Sequence, residues 1–190
     1  MSLNNTTLVM IDGAYVDKVL EHSFGGARID FEKLVNSLVP EDQLLRTYYY
    51  HCPPYMSYPP TEEQLTRSEN KSRFFSALET IPKFEVRLGK LVYKCESSNG
   101  QPIFAQKLID TMMSVDIVKL AMSGRVNKVV VVAGDSDYVP AITAVKELGV
   151  LTTVVFGPST DERDNIHTDL WNVCDERIQI DNEMINEIER

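Results

Sequence analysis

In VVVVAGDSDYVPAI, Val129 to Ile142, two carboxylates one residue apart follow an apolar run. With 28 acidic residues against 19 basic ones, the chain has no solubility reason to place Asp135 and Asp137 there. Asp12 ends another apolar stretch, Leu8 to Ile11, just ahead of Gly13. If the two stretches are neighbouring strands, three acids converge. Their repulsion and desolvation are then costly unless cations offset them. Hard oxygen ligands of this type suit Mg2+ or Mn2+, which keep waters and leave positions for phosphate oxygens. The plainer alternative is capping, with Asp137 serving a helix near Tyr138 and Asp12 a helix after Gly13.

A helix over Gln106–Gly124 supplies further candidates. On a 3.6-residue wheel Asp110 shares a stripe with Lys107, Ser114 and Ala121, whereas Asp116 falls among Ile109, Met112, Met113 and Leu120. In ideal geometry the two acids lie about 120° and about 9 Å apart, so they do not easily ligate one ion. Asp110 is therefore the expected ligand. Asp116 needs a partner on its apolar face: a second metal position, support for the first, or a structural contact. Lys107, one turn before Asp110, either contacts phosphate or pairs with that aspartate.

The elements that must position these groups alternate. Strands are expected at Leu8–Ile11, Leu44–Tyr50, Phe84–Lys94, Val129–Val132, Val150–Phe156 and Ile178–Ile180. Helices are expected after Gly13, at Phe31–Leu38 behind the cap Asp30, and from the Thr61–Gln64 capping box to Leu78. Others fall at Lys107–Met122, Val139–Leu148, Asp164–Asn172 and the acidic C-terminus. Ser98-Asn99-Gly100 predicts a hairpin turn. The segment 51–60, HCPPYMSYPP, is a proline-rich loop. This order predicts one α/β domain over residues 1–190, a mostly parallel sheet with helices on both faces and a small β-hairpin. Ligands of such sheets sit beyond the carboxyl ends of the strands, where Asp12 and Asp135 fall.

Composition narrows the function. The net charge of −9 argues against a protein that simply coats nucleic acid. Ten acids from Thr160 onward face only Arg163, Arg177 and Arg190, whereas Lys83 to Lys107 is locally basic. Arg87, Lys90 and Lys94 are thus candidates to follow a polyanion's backbone. The 3 cysteines are read as reduced thiols of a cytoplasmic protein. Neither a membrane-length apolar run nor a secretory signal is seen. The proline-rich loop and acidic terminal helix are available for a homodimer, with solvent as the default. His22, His51 and His167 receive no role.

Together these motifs resemble the NYN family, the LabA-like branch of the PIN-like nucleases. The likeness spans nearly the whole chain: IDG at Ile11–Gly13, the aromatic TYYYH, FEVRLGKL, KLID followed by SVD, the strand ending Gly-Asp-Ser-Asp, then KELG and LWNVCDERIQI. The resemblance implies a three-layer, Rossmann-like PIN fold and Mg2+- or Mn2+-dependent hydrolysis of RNA. Carried over, Asp12, Asp110 and Asp135 are the metal-binding acids, Asp137 a fourth and Asp116 an additional one. Lys107, Tyr15, Ser136, Arg87 and Lys90 are the expected substrate contacts. One position departs plainly from the family pattern, Tyr15 in place of a frequent Asn, while Tyr138 stands where Phe usually follows Gly-Asp-Ser-Asp. Tyr15 cannot reproduce an amide's contacts, though it can stack on a base.

Other classes compete. A non-catalytic RNA-binding or regulatory module would keep the acidic pocket without turnover. An aspartyl-phosphate phosphatase would want a second acid where Ala14 stands, and a dinucleotide-binding domain would want GxGxxG after the first strand.

Overall fold

The structure, a computed structural model, describes residues 6–96, 102–158 and 165–190. Six strands, β1 (Thr7–Asp12), β2 (Leu44–His51), β3 (Phe84–Leu88), β6 (Lys128–Val132), β7 (Leu151–Phe156) and β8 (Glu176–Gln179), form one sheet. Its order is β3-β2-β1-β6-β7-β8, and every neighbouring pair is parallel. A separate antiparallel pair joins β4 (Lys90–Glu96) to β5 (Pro102–Lys107).

The period-two pattern of the strands explains the layers. Val9 and Ile11 of β1 point into a core closed by α1 (Gly13–Ser23), α2 (Phe31–Leu38), α3 (Glu62–Glu79) and α7 (Asn182–Ile188). Leu8 and Met10 point the other way, into a core closed by α4 (Ile109–Ala121), α5 (Val139–Glu147) and α6 (Thr168–Val173). The tyrosine run of β2 divides likewise: Tyr49 enters the first core, Tyr48 and Tyr50 the second. The result is the expected three-layer α/β fold. Among the described residues no helix is long and apolar enough to cross a membrane, and Cys52, Cys95 and Cys174 are free thiols.

From β1 the chain crosses outward to β2 and β3; from β6 it crosses the opposite way to β7 and β8. The direction of winding reverses between β1 and β6, and such a switch point opens a crevice at the carboxyl ends of the two strands. Ile11 pairs with Val132, so both strands end side by side. Asp12 and the Gly134-Asp135 turn emerge there.

Three expectations need correction. Phe84–Lys94 is not one strand: the chain leaves the main sheet at Gly89, and β4 begins the hairpin. Gly89 donates its N–H to the His51 carbonyl at 2.9 Å. A Cβ there would lie 2.7 Å from the Lys107 carbonyl oxygen, so only glycine allows this crossing. The turn Ser98-Asn99-Gly100 lies outside the described residues. The helix carrying Asp110 starts at Ile109, not Lys107, because Leu108 takes a left-handed φ of 78° between β5 and α4. The helix expected from Asp164 starts at Thr168; Asp164 itself lies outside the described residues.

Candidate active site

Asp12 is both cap and site residue. Its Oδ1 accepts the first-turn N–H groups of Ala14 and Tyr15, at 3.0 and 3.1 Å. That fixes the carboxylate at the start of α1 and turns Oδ2 toward the crevice. There Oδ2 accepts the Tyr138 hydroxyl at 3.0 Å. The same hydroxyl lies 3.0 Å from Oδ1 of Asp110, in the first turn of α4. Three elements distant in sequence are thus gathered around one oxygen atom.

A hydroxyl carries one proton, so Tyr138 donates to one of these carboxylates at a time. Burial raises the pKa of Asp12 despite the hydrogen bonds of Tyr15, Tyr138 and Ala14. Burial also raises that of Asp110, and the charges of Asp12, Asp135 and Asp137 add to it. Tyr138 is driven far above the ordinary tyrosine range by burial and by the same two carboxylates, so it remains a neutral donor.

Asp135 joins Asp12 and Asp110 in the wall of a cavity of about 970 Å3. It, rather than Asp137, caps the short turn Ser136–Tyr138, accepting the Asp137 N–H at 3.1 Å. Asp137 is exposed beside the cavity, close enough for its charge to act on Asp110. Glycines make room for this packing. A Cβ on Gly13 would fall 2.3 Å from the Tyr49 ring, and one on Gly134 would fall 2.5 Å from the Tyr15 ring.

The remaining candidates separate. Tyr15 belongs to the cavity wall but is only 8% exposed, and its hydroxyl accepts the Gly157 N–H at 2.9 Å. It is a wedge between the ends of β6 and β7, not a platform open to a base. Asp116 is buried away from the cavity: it accepts the Tyr50 hydroxyl at 2.9 Å, and Arg87 Nε stands 3.4 Å from it. Arg87 also pairs with Glu85 at 2.7 Å and lies over the Tyr48 ring. The partner that α4 required for Asp116 is therefore a cation and a phenol, and Arg87 is committed to that contact. Lys90 lines a different, smaller cavity under the proline-rich loop. Lys107, the last residue of β5, is exposed, and Ser136 is half-buried in the turn after Asp135; neither lines the acidic cavity.

Sequence reasoning passed over two groups. Lys18, one turn beyond Ala14 on α1, and His167, ahead of α6, both line the acidic cavity, as does Lys94 of β4. Nothing in the spacing of Ile166-His167-Thr168 announces this. The backbone of His167 is simply carried to the site by a hydrogen bond to the Gly134 carbonyl, 2.8 Å.

A divalent ion is the group these residues imply. Among the described residues no three His, Cys, Asp or Glu side chains are placed so that together they could hold a metal ion as they stand. The donor chemistry nevertheless fits: all candidate ligands are carboxylate oxygens, and two of them, from Asp12 and Asp110, share one hydroxyl as neighbour. Such an arrangement suits a hard cation that keeps part of its water.

No functionally curated protein is significantly similar to the chain. Among solved structures it is similar to a protein of unknown function, VPA0982 from Vibrio parahaemolyticus, with a TM-score of 0.70 at 14% identity. That match covers 100% of this chain and 99% of the other, and speaks for the fold alone. A remoter likeness, to MurG of Acinetobacter baumannii, has a TM-score of 0.39 at 10% identity, covers 94% of this chain and 42% of that one, and carries no weight. The family model described as the NYN domain matches residues 6–181, nearly the full length and every element around the crevice. The chain belongs to the NYN domain family.

Proposed function

We propose that the protein is a metal-dependent ribonuclease that hydrolyses RNA phosphodiester bonds in the crevice between β1 and β6. Asp12, Asp110 and Asp135 would hold Mg2+ or Mn2+, with Asp137 as a fourth acid beside them. One observation carries this reading above the others: carboxylates from β1 and α4 meet at a single hydroxyl at the switch point of the sheet, with Asp135 in the same wall. When bound, such an ion supplies Lewis acidity and neutralises charge at the scissile phosphate. The protein's own part is orientation. Backbone donors fix Asp12, the Asp137 N–H fixes Asp135, and Tyr138 holds Asp12 and Asp110 together. Membership of the NYN family, placed among the PIN-like nucleases, supports a nucleic-acid substrate.

Cleavage of single-stranded and structured RNA in Mn2+ tests this directly. The parent should cut, and Asp12→Asn or Asp135→Asn should slow cleavage by about 100-fold or more, the scale of losing transition-state charge stabilisation. A parent that binds RNA or a protein partner but cuts nothing would mark the fold as a binding or regulatory module. Tyr15, locked in the wall where the family often has Asn, is the feature that would favour that outcome.

A further inference from the structure

Three aspartates in one cavity wall repel the phosphates they are proposed to act on, so a bound strand needs donors of its own. The cavity supplies them from three separate elements: Lys18 on α1, Lys94 on β4 and His167 before α6. Both lysines are exposed. Other lysines are neutralised by acids, as in Lys71–Asp17 at 3.0 Å, Lys128–Glu176 at 2.7 Å and Lys146–Asp175 at 2.7 Å. Lys18 and Lys94 have no such ion pair among the described residues.

His167 offers a different kind of contact. Its Nδ1 accepts the Asp169 N–H at 3.2 Å. An imidazole nitrogen that accepts carries no proton, so in the neutral ring the proton sits on Nε2, at the far side of the ring. The side chain is 52% exposed. With Nδ1 taken up by Asp169, whose Oδ2 also lies 3.6 Å from it, the ring keeps Nε2 as its remaining donor at the cavity wall, held by its own cap and by the backbone bond to Gly134.

We infer that Lys18, Lys94 and His167 form a phosphate clamp, gripping the backbone of an RNA strand across the carboxylates. The lysines act as charges and His167 as an oriented hydrogen-bond donor. This assignment rests on the nuclease reading and adds to it the residues that seat the substrate.

The two kinds of contact are distinguishable by salt. A fluorescent, phosphorothioate-linked uridine octamer would be titrated at fixed Mg2+ while KCl is varied. Lys18→Gln and Lys94→Gln should each weaken binding and flatten the plot of log K against log salt by about 0.7, the single-strand value per phosphate contact. His167→Asn keeps a cap acceptor but loses the distal donor. It should weaken binding roughly three- to tenfold, the range for one hydrogen bond, and leave the slope unchanged. Lys119→Gln, on the separate groove between α4 and α5, should change neither. As a second readout, the protein's 3 histidines give a simple imidazole NMR spectrum; the signal lost in His167→Asn should shift when the octamer is added to the parent. If the variants bind and cut like the parent, the clamp is wrong and the nuclease reading stands. A parent that neither binds nor cuts RNA removes both.

Discussion

Tyr138 concentrates the chemistry of the site in one proton. Its hydroxyl serves two carboxylates whose pKa values burial has already raised. Tyr138→Phe tests what the two acids need. Without a divalent ion, Asp12 Oδ2 and Asp110 Oδ1 lose their shared donor, and the variant should be less stable in urea by about 1–3 kcal/mol. In excess Mn2+ the ion would offset the carboxylate charges directly, and most of the loss should vanish. An equal loss in EDTA and in Mn2+ would mean that the acids do not hold a cation together. Asp116 shows the opposite arrangement, since Arg87 and Tyr50 already satisfy it inside the protein.

At the scale of elements, the sequence made the strand ends legible because apolar runs ending in Asp or Gly-Asp are local features. The mostly parallel sense of the sheet followed from alternating strands and helices, whereas the order that sets β1 beside β6 is a product of tertiary packing. Contacts set by tertiary packing were not legible. The alternation of Phe84–Lys94 continues through Gly89, and only the crowding at the Lys107 carbonyl reveals that the chain changes sheets. Tyr15 is able to stack on a base by its chemistry alone, and only its contact with Gly134, remote in sequence, shows that it is held in the wall. That contact predicts a coupled pair. Gly134→Ala should cost about 1–3 kcal/mol by overpacking against the Tyr15 ring, and much less in a Tyr15→Ala background. Additive losses in denaturant unfolding would show that the wedge is not there. A second junction binds α5, β7 and β8. The Asp175 carboxylate accepts the Thr152 N–H and hydroxyl at 2.9 and 2.8 Å and pairs with Lys146. Burial pushes its pKa up, but Lys146 and Thr152 outweigh that and hold it below the ordinary value. Its contribution is therefore present above the unfolded carboxyl pKa and is lost as pH falls through the lower folded value. Asp175→Ala, which strips the buried Thr152 N–H, should cost about 1–3 kcal/mol near neutral pH. The gap between variant and parent should begin to narrow below about pH 4 and go on shrinking as pH falls further.

For the whole molecule the decisive quantity is where its charge lies. A net charge of −9 repels RNA, yet exposed charges beyond about 10 Å are largely screened at ordinary salt. A strand in the crevice therefore responds chiefly to the cavity acids and to Lys18 and Lys94. This fixes the sign of an otherwise ambiguous effect. On a basic RNA-binding surface, divalent cations compete for the phosphates and weaken association. Here a cation at Asp12, Asp110 and Asp135 would cancel the local repulsion and join the substrate to the site. At constant ionic strength, Mg2+ should tighten binding of a cleavage-resistant RNA by about tenfold or more, a gain of roughly 1.4 kcal/mol. Replacing both Asp12 and Asp110 by Asn should raise the Mg2+-free affinity and erase most of that gain, because the repulsion and the ion site disappear together. If Mg2+ weakens binding to the parent as it does for a basic surface, RNA is held somewhere other than the crevice, and the carboxylates gathered by Tyr138 serve another ligand.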